Sequence, residues 1–189
     1  VSSGNSWSPI NDRQENLNVT CIAQTVSGTI FYGTGEGGFV NLSGTRNGSP
    51  AFLGAGLYKS TDGRGVSFTK MTNTSAASFM QCNSMVAHPK EDKFYLGTED
   101  GIYEFTNNGG TQKKISVGSI KELKIDKNGV LWASTGSGSI LKMDGAGAMK
   151  QMNASVNTGG RTSLAISPED PNYVYLMGAS GTGAFSGLL

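Results

Sequence analysis

The sequence predicts an all-β fold, a β-propeller of four-stranded antiparallel blades. Three observations predict it: a glycine-rich composition low in charge, a unit of strands and turns that recurs along the chain, and no stretch of helical periodicity long enough to compete. Of 189 residues, 28 are glycine, 5 are proline and 15% are charged, which disfavours both disordered linkers and solvated helical bundles. The length suits one domain with a real core. Fifteen Lys and Arg against fourteen Asp and Glu leave a net charge of +1, so no broad field gathers nucleic acid or an anionic membrane surface. No apolar run approaches the roughly 18 residues that cross a bilayer, so no membrane insertion is expected. The chain opens on Val1 with no basic and apolar leader, which reads as a processed or excised segment.

The recurring unit fixes the elements in order. Residues 1–16 are expected to supply the outer strand of a preceding blade, at Trp7 to Ile10, followed by units at about 17–75, 79–116, 119–154 and 160–189. Shifted by 64 positions, Cys21-Ile22-Ala23 falls on Met85-Val86-Ala87, and Ile30-Phe31-Tyr32-Gly33-Thr34 falls on Phe94-Tyr95-Leu96-Gly97-Thr98. A third copy runs through Leu123-Lys124-Ile125 and Val130-Leu131-Trp132-Ala133-Ser134-Thr135, a fourth through Leu164-Ala165-Ile166 and Tyr173-Val174-Tyr175-Leu176-Met177-Gly178. Each unit reads as a four-stranded meander, in the second copy Asn83 to Ala87, Phe94 to Gly97, Ile102 to Phe105 and Gln112 to Ile115. The first unit carries an insertion, about Glu36 to Ala55, and the fourth has room for only three strands. One meander cannot bury both its faces, so several must pack face to face, and around an axis that arrangement is a propeller. Phe31, Tyr95, Trp132 and Tyr175 fall in the second strands, where they are expected to fill the space between blades. Cys21 and Cys82 lack the spacing of a metal or dithiol site and are expected as small buried side chains.

The turn between third and fourth strands also recurs, as Ser60-Thr61-Asp62-Gly63 through Phe68, as Thr106-Asn107-Asn108-Gly109-Gly110, and as Met143-Asp144-Gly145-Ala146-Gly147. The first of these resembles the Asp-box, or BNR repeat, Ser-x-Asp-x-Gly-x-x-Trp/Phe, with one extra residue before the aromatic; the other two are degenerate. The resemblance makes Ser60, Asp62, Gly63, Phe68 and Asp144 structural, the carboxylate accepting backbone N–H groups of its own turn. Gly33-Thr34-Gly35-Glu36, Gly56-Leu57-Tyr58-Lys59-Ser60 and Trp7-Ser8-Pro9-Ile10 are similar to the propellers of sortilin-type and glycoside hydrolase family 74 proteins. Phe94 through Tyr103, and Asp126 through Trp132, resemble the propeller repeats of two-component sensor ectodomains. Propellers of these families usually have more blades, which favours a segment of a longer chain with further blades over a four-bladed ring closed by the N-terminal strand. The resemblance implies a secreted, periplasmic or cell-surface protein.

Propellers bind ligands mostly on the face built by loops from second to third strand and from one blade to the next. On that face stand Glu36, Arg46, Glu99, Asp100 and Arg161, the expected contacts to a protein or carbohydrate ligand. Glu36 and Asp100 hold equivalent places on neighbouring blades and form the one pair suited to acid–base work on a glycoside. The third and fourth units carry small residues there, so the leading expectation is a non-catalytic binding module, with a carbohydrate-active hydrolase fragment as the alternative. A sialidase needs an arginine triad, but Arg13, Arg46, Arg64 and Arg161 are the only arginines and none stands in an Arg-Ile-Pro context. His88 is the single histidine, ahead of Pro89, and is expected to bond its local backbone. No metal or cofactor is expected.

Overall fold

The structure, a computed structural model, describes residues 8–10, 12–36, 52–60, 62, 65–155, 162–180 and 182–189. Four antiparallel sheets follow one another along the chain. The first holds β1 (Val19–Gln24), β2 (Ile30–Thr34), β3 (Leu57–Ser60) and β4 (Phe68–Lys70). The second holds β5 (Cys82–Ala87), β6 (Phe94–Thr98), β7 (Gly101–Thr106) and β8 (Thr111–Val117), and the third β9 (Ile120–Ile125), β10 (Leu131–Thr135), β11 (Ser139–Met143) and β12 (Met149–Ser155). The fourth has three strands, β13 (Thr162–Ile166), β14 (Val174–Ala179) and β15 (Phe185–Leu188). Strand order follows chain order in every sheet, which is the expected meander. Strand β1 packs on β5, β5 on β9 and β9 on β13, so the first strands gather along one axis and the sheets stand around it as propeller blades.

The interfaces between blades are the core, and all three are built alike. Phe31 and Leu57 of the first blade pack with Cys82, Met85, Phe94 and Leu96 of the second. Tyr95 and Ile102 of the second pack with Ile120, Leu123 and Leu131 of the third. Trp132 and Ile140 of the third pack with Leu164 and Leu176 of the fourth. Alternation along each strand gives every blade a rear face toward the blade before it and a forward face toward the blade after it. Next to the forward aromatic the second strands of the first three blades carry a small residue, Gly33, Gly97 or Ser134, because the following blade comes very close. A Cβ on Gly33 would lie 2.8 Å from Cys82 Cβ, and one on Gly97 would lie 2.7 Å from Ile120 Cγ2. Side chains also accept main-chain donors across the gap: Leu123 N–H donates to Ser84 Oγ at 3.0 Å and Leu164 N–H to Glu122 Oε2 at 2.6 Å.

Two expectations meet a different outcome. Ser8 to Ile10 form no strand, and Trp7 lies outside the described residues; Pro9 offers no N–H to a ladder. That segment instead leads onto the rear of the first blade, where Glu15 accepts hydrogen bonds from Tyr58 Oη, at 3.0 Å, and from Lys70 Nζ. The passage from Thr72 to Met80, between the first and second blades, contains two short 3-10 turns, Thr72–Thr74 and Ala77–Phe79, which seat Phe79 against Tyr103 and Phe105. Of the four second-strand aromatics, Phe31, Tyr95 and Trp132 are buried between blades, whereas Tyr175 is open to solvent, because among the described residues no sheet stands in front of the fourth blade. Cys21 and Cys82 are buried and unbridged, and burial pushes the Cys21 thiol up to about 12.

Candidate functional site

The candidate ligand face begins where the second strands end. There, buried threonines tie off the turn into the third strand: Thr34 Oγ1 donates to Gly56 O and accepts from Ala55 N–H, both at 2.8 Å. Thr98 Oγ1 accepts from the N–H groups of Asp100 and Gly101, at 3.0 and 3.1 Å. These threonines were not among the expected site residues, although the shared pairs Gly33-Thr34 and Gly97-Thr98 carry the signal. They fix the loops that present Glu36 and Glu99-Asp100.

Between the second and third blades the loop charges are paired. Glu99 accepts hydrogen bonds from Lys121 Nζ at 2.6 Å and Asn83 Nδ2 at 2.7 Å, and Asn83 Nδ2 also donates to Ile120 O at 2.7 Å. Burial alone would raise the Glu99 carboxyl, but the bonds from Lys121 and Asn83 outweigh it and hold the group below its ordinary range. Lys114 Nζ lies 2.7 Å from Asp100 Oδ2, and Tyr103 Oη donates to the same carboxylate, which is lowered first by Lys114 and then by Tyr103. Lys114 also sits 5.6 Å from the Tyr103 ring centroid. Two carboxylates and two ammonium groups thus form a row of matched charges with little net field.

The remaining expected residues fall as follows. Glu36 is partly buried at the end of the first blade's second strand, and its N–H donates to Phe52 O at 2.8 Å. Among the described residues no hydrogen bond or ion pair joins Glu36 to Asp100. Arg46, Gly63, Arg64 and Arg161 lie outside the described residues. Val66 N–H donates to Asp62, with its Oδ2 at 3.2 Å, while Ala146 and Ala148 N–H groups donate to Asp144 Oδ1 at 2.9 Å each. Phe68 packs on Tyr32 with ring centroids 4.9 Å apart, and Ser60 Oγ accepts the Ile30 N–H at 2.9 Å. These groups close hairpins at the end of the blades opposite the candidate ligand face. His88 is buried at that same end, its Nδ1 accepting N–H groups of Lys90 and Glu91 at 3.2 and 3.0 Å. Among the described residues no group of three His, Cys, Asp or Glu side chains is placed to hold a metal ion.

This is a β-propeller arrangement, and comparison with solved structures agrees. The chain is similar in fold to the extracellular domain of the BT3049 hybrid two-component system from B. thetaiotaomicron, with a TM-score of 0.61 at 14% identity over 92% of this chain and 24% of that one. It is similar to the GH74 enzyme of Niastella koreensis, with a TM-score of 0.56 at 16% identity over 85% of this chain and 34% of that one. A Lactobacillus plantarum protein gives a TM-score of 0.56 at 15% identity over 91% of this chain and 55% of that one. The chain therefore spans less than two thirds of each of these proteins. No family profile matches the sequence, and no curated protein matches it.

Proposed function

We infer that this chain is a non-catalytic propeller module of extracellular type that presents its loop face to a protein or glycan. The observation that carries the reading is the matched row of charges at Glu99, Lys121, Asp100 and Lys114. Fixed donors and acceptors with little net charge suit a neutral, hydroxyl- or amide-rich ligand better than a polyanion. A general acid in glycoside hydrolysis needs its pKa raised, and Asp100, held by Lys114 and Tyr103, is pushed the other way. No helix among the described residues is long and apolar enough to cross a membrane. The extracellular domains among its structural neighbours support the same setting.

Calorimetric titration with β-glucan oligosaccharides, sialosides and a peptide panel, run beside a turnover assay, tests the reading. Binding without turnover is expected, weakened about tenfold in Lys121→Met, which removes a charge-assisted hydrogen bond. Sugar release by the native chain, abolished in Glu36→Gln/Asp100→Asn, would instead establish a hydrolase.

A further inference from the structure

Cys21 and Cys82 belong to different blades, 61 residues apart in the chain, and meet inside the first blade interface. Cys21 stands on β1 opposite Gly33. At the same register of the next two first strands stand Ser84, opposite Gly97, and Glu122, opposite Ser134. Both of those side chains cross to the following blade, where they accept the N–H of Leu123 and of Leu164. Cys21 crosses too, but with sulfur: its thiol donates to Cys82 O at 3.8 Å, so that among these three positions it alone meets a second cysteine.

Cys82 opens β5 and is fully buried, its thiol donating to Phe79 O at 3.3 Å. Gly33 lies between the two cysteines. A Cβ built on it would fall 2.7 Å from Cys21 Sγ and 2.8 Å from Cys82 Cβ, so the room left by the missing side chain is the room that separates them. Turning Cys82 about its Cα–Cβ bond carries Sγ away from Phe79 O and into that room, toward Cys21 Sγ. Cys82 O keeps a donor when the Cys21 S–H is lost, because Thr20 Oγ1 also donates to it.

We propose that Cys21 and Cys82 form a disulfide site that ties the first blade to the second, closed during folding by a small-molecule or protein disulfide as oxidant. One protein thiolate attacks the oxidant's S–S bond, giving a mixed disulfide and releasing one reduced thiol; the other protein thiolate then displaces the second. Two protein S–H bonds and one oxidant S–S bond become one protein S–S bond and two oxidant S–H bonds, with both electrons and both protons passing to the oxidant. In the packed interface burial pushes the Cys21 thiol up to about 12, and burial together with the nearby Cys21 raises Cys82 as well. The attacking thiolate is therefore scarce once the blades have packed, and the bridge closes before they do. It then lies beneath the strand ends beside Thr34 and Asn83, where both blades send their loops to the candidate ligand face.

The test is to unfold the chain in guanidinium with reductant, refold it by dilution into a glutathione redox buffer or into reductant alone, and count thiols by mass after maleimide labelling of the unfolded product. The glutathione-refolded chain should take no label and weigh two hydrogens less, whereas the chain refolded in reductant should take a label at both cysteines. Given to the native reduced chain, the same glutathione buffer should close the bridge at least about tenfold more slowly than during refolding. The bridged form should melt about 5–10 °C above the reduced form, as closure of a long loop predicts for a chain of this size. Cys21→Ser and Cys82→Ser should each melt alike in the two buffers. The proposal is overturned by a glutathione-refolded chain that still labels at both cysteines, that carries glutathione on either, or that is joined to a second chain. A bridge that leaves melting unchanged or lowers it, or that closes as fast in the native chain, overturns it too.

Discussion

His88 shows how a side chain can be fixed by the turn it closes. Its Nδ1 accepts two backbone N–H groups, a role only the neutral ring fills, and its Nε2 lies 3.3 Å from Glu91 Oε1. Burial lowers its pKa; Glu91 and Glu104 pull it up, while Lys93 and Lys90 push it down. The unfolded chain takes up the proton near the ordinary value of about 6.5, and the folded chain only at lower pH. In that window the unfolded state binds more protons, so stability is full above about pH 7 and falls as pH drops through 6.5 toward the folded value. Denaturant melts from pH 7.5 to 5 should show this decline, and His88→Gln should be less stable throughout but flatter across the same range. A native chain whose stability holds or rises as pH falls there would remove burial as the controlling influence.

Within an element, the glycine of the first two blades' second strands, Gly33 or Gly97, is a packing residue rather than a turn residue. A methyl at Gly97 would stand 2.7 Å from Ile120 Cγ2 and 3.3 Å from Leu123 Cγ. Gly97→Ala should therefore cost about 1–3 kcal/mol, the usual range for overpacking. In an Ile120→Ala background most of that cost should vanish, since the clashing methyl is gone; an equal cost in both backgrounds would show that the close approach is not what selects glycine. The strands were legible in the sequence for the same reason: Phe31-Tyr32-Gly33-Thr34 and Tyr95-Leu96-Gly97-Thr98 keep aromatic, apolar, small and hydroxyl roles in one order, and each role answers a fixed position in the blade. The equivalence of Glu36 and Asp100 could be read along the chain. The bonds from Asn83 and Lys121 to Glu99 could not, because they depend on how the third blade stands against the second, which no spacing within a unit encodes. Nor could sequence separate Tyr175 from Tyr95, since the difference lies in what covers each.

Across the molecule, each blade leans mainly on its neighbours, so stability is close to a sum of interface contributions and need not be even. The first interface is rich in aromatic pairs, with Phe31 and Phe94 centroids 4.4 Å apart and Phe94 and Phe105 stacked at 4.7 Å. Each such pair adds about 0.5–1.5 kcal/mol beyond its buried area. The last interface is smaller. It also buries Trp132 Nε1, Ser134 Oγ and Thr162 Oγ1 with no hydrogen-bond partner among the described residues. An unsatisfied buried polar group costs about 1–3 kcal/mol, so these three offset much of what Leu164 and Leu176 contribute. The fourth blade should open first. In native-state hydrogen exchange, amides of β13 and β14 should exchange well before those of β5 and β6. Thr162→Val, which keeps the shape and removes a lone hydroxyl, should narrow that gap instead of widening it. Simultaneous exchange of all four blades would mean that the propeller opens as one unit and that its interfaces are not separable in energy.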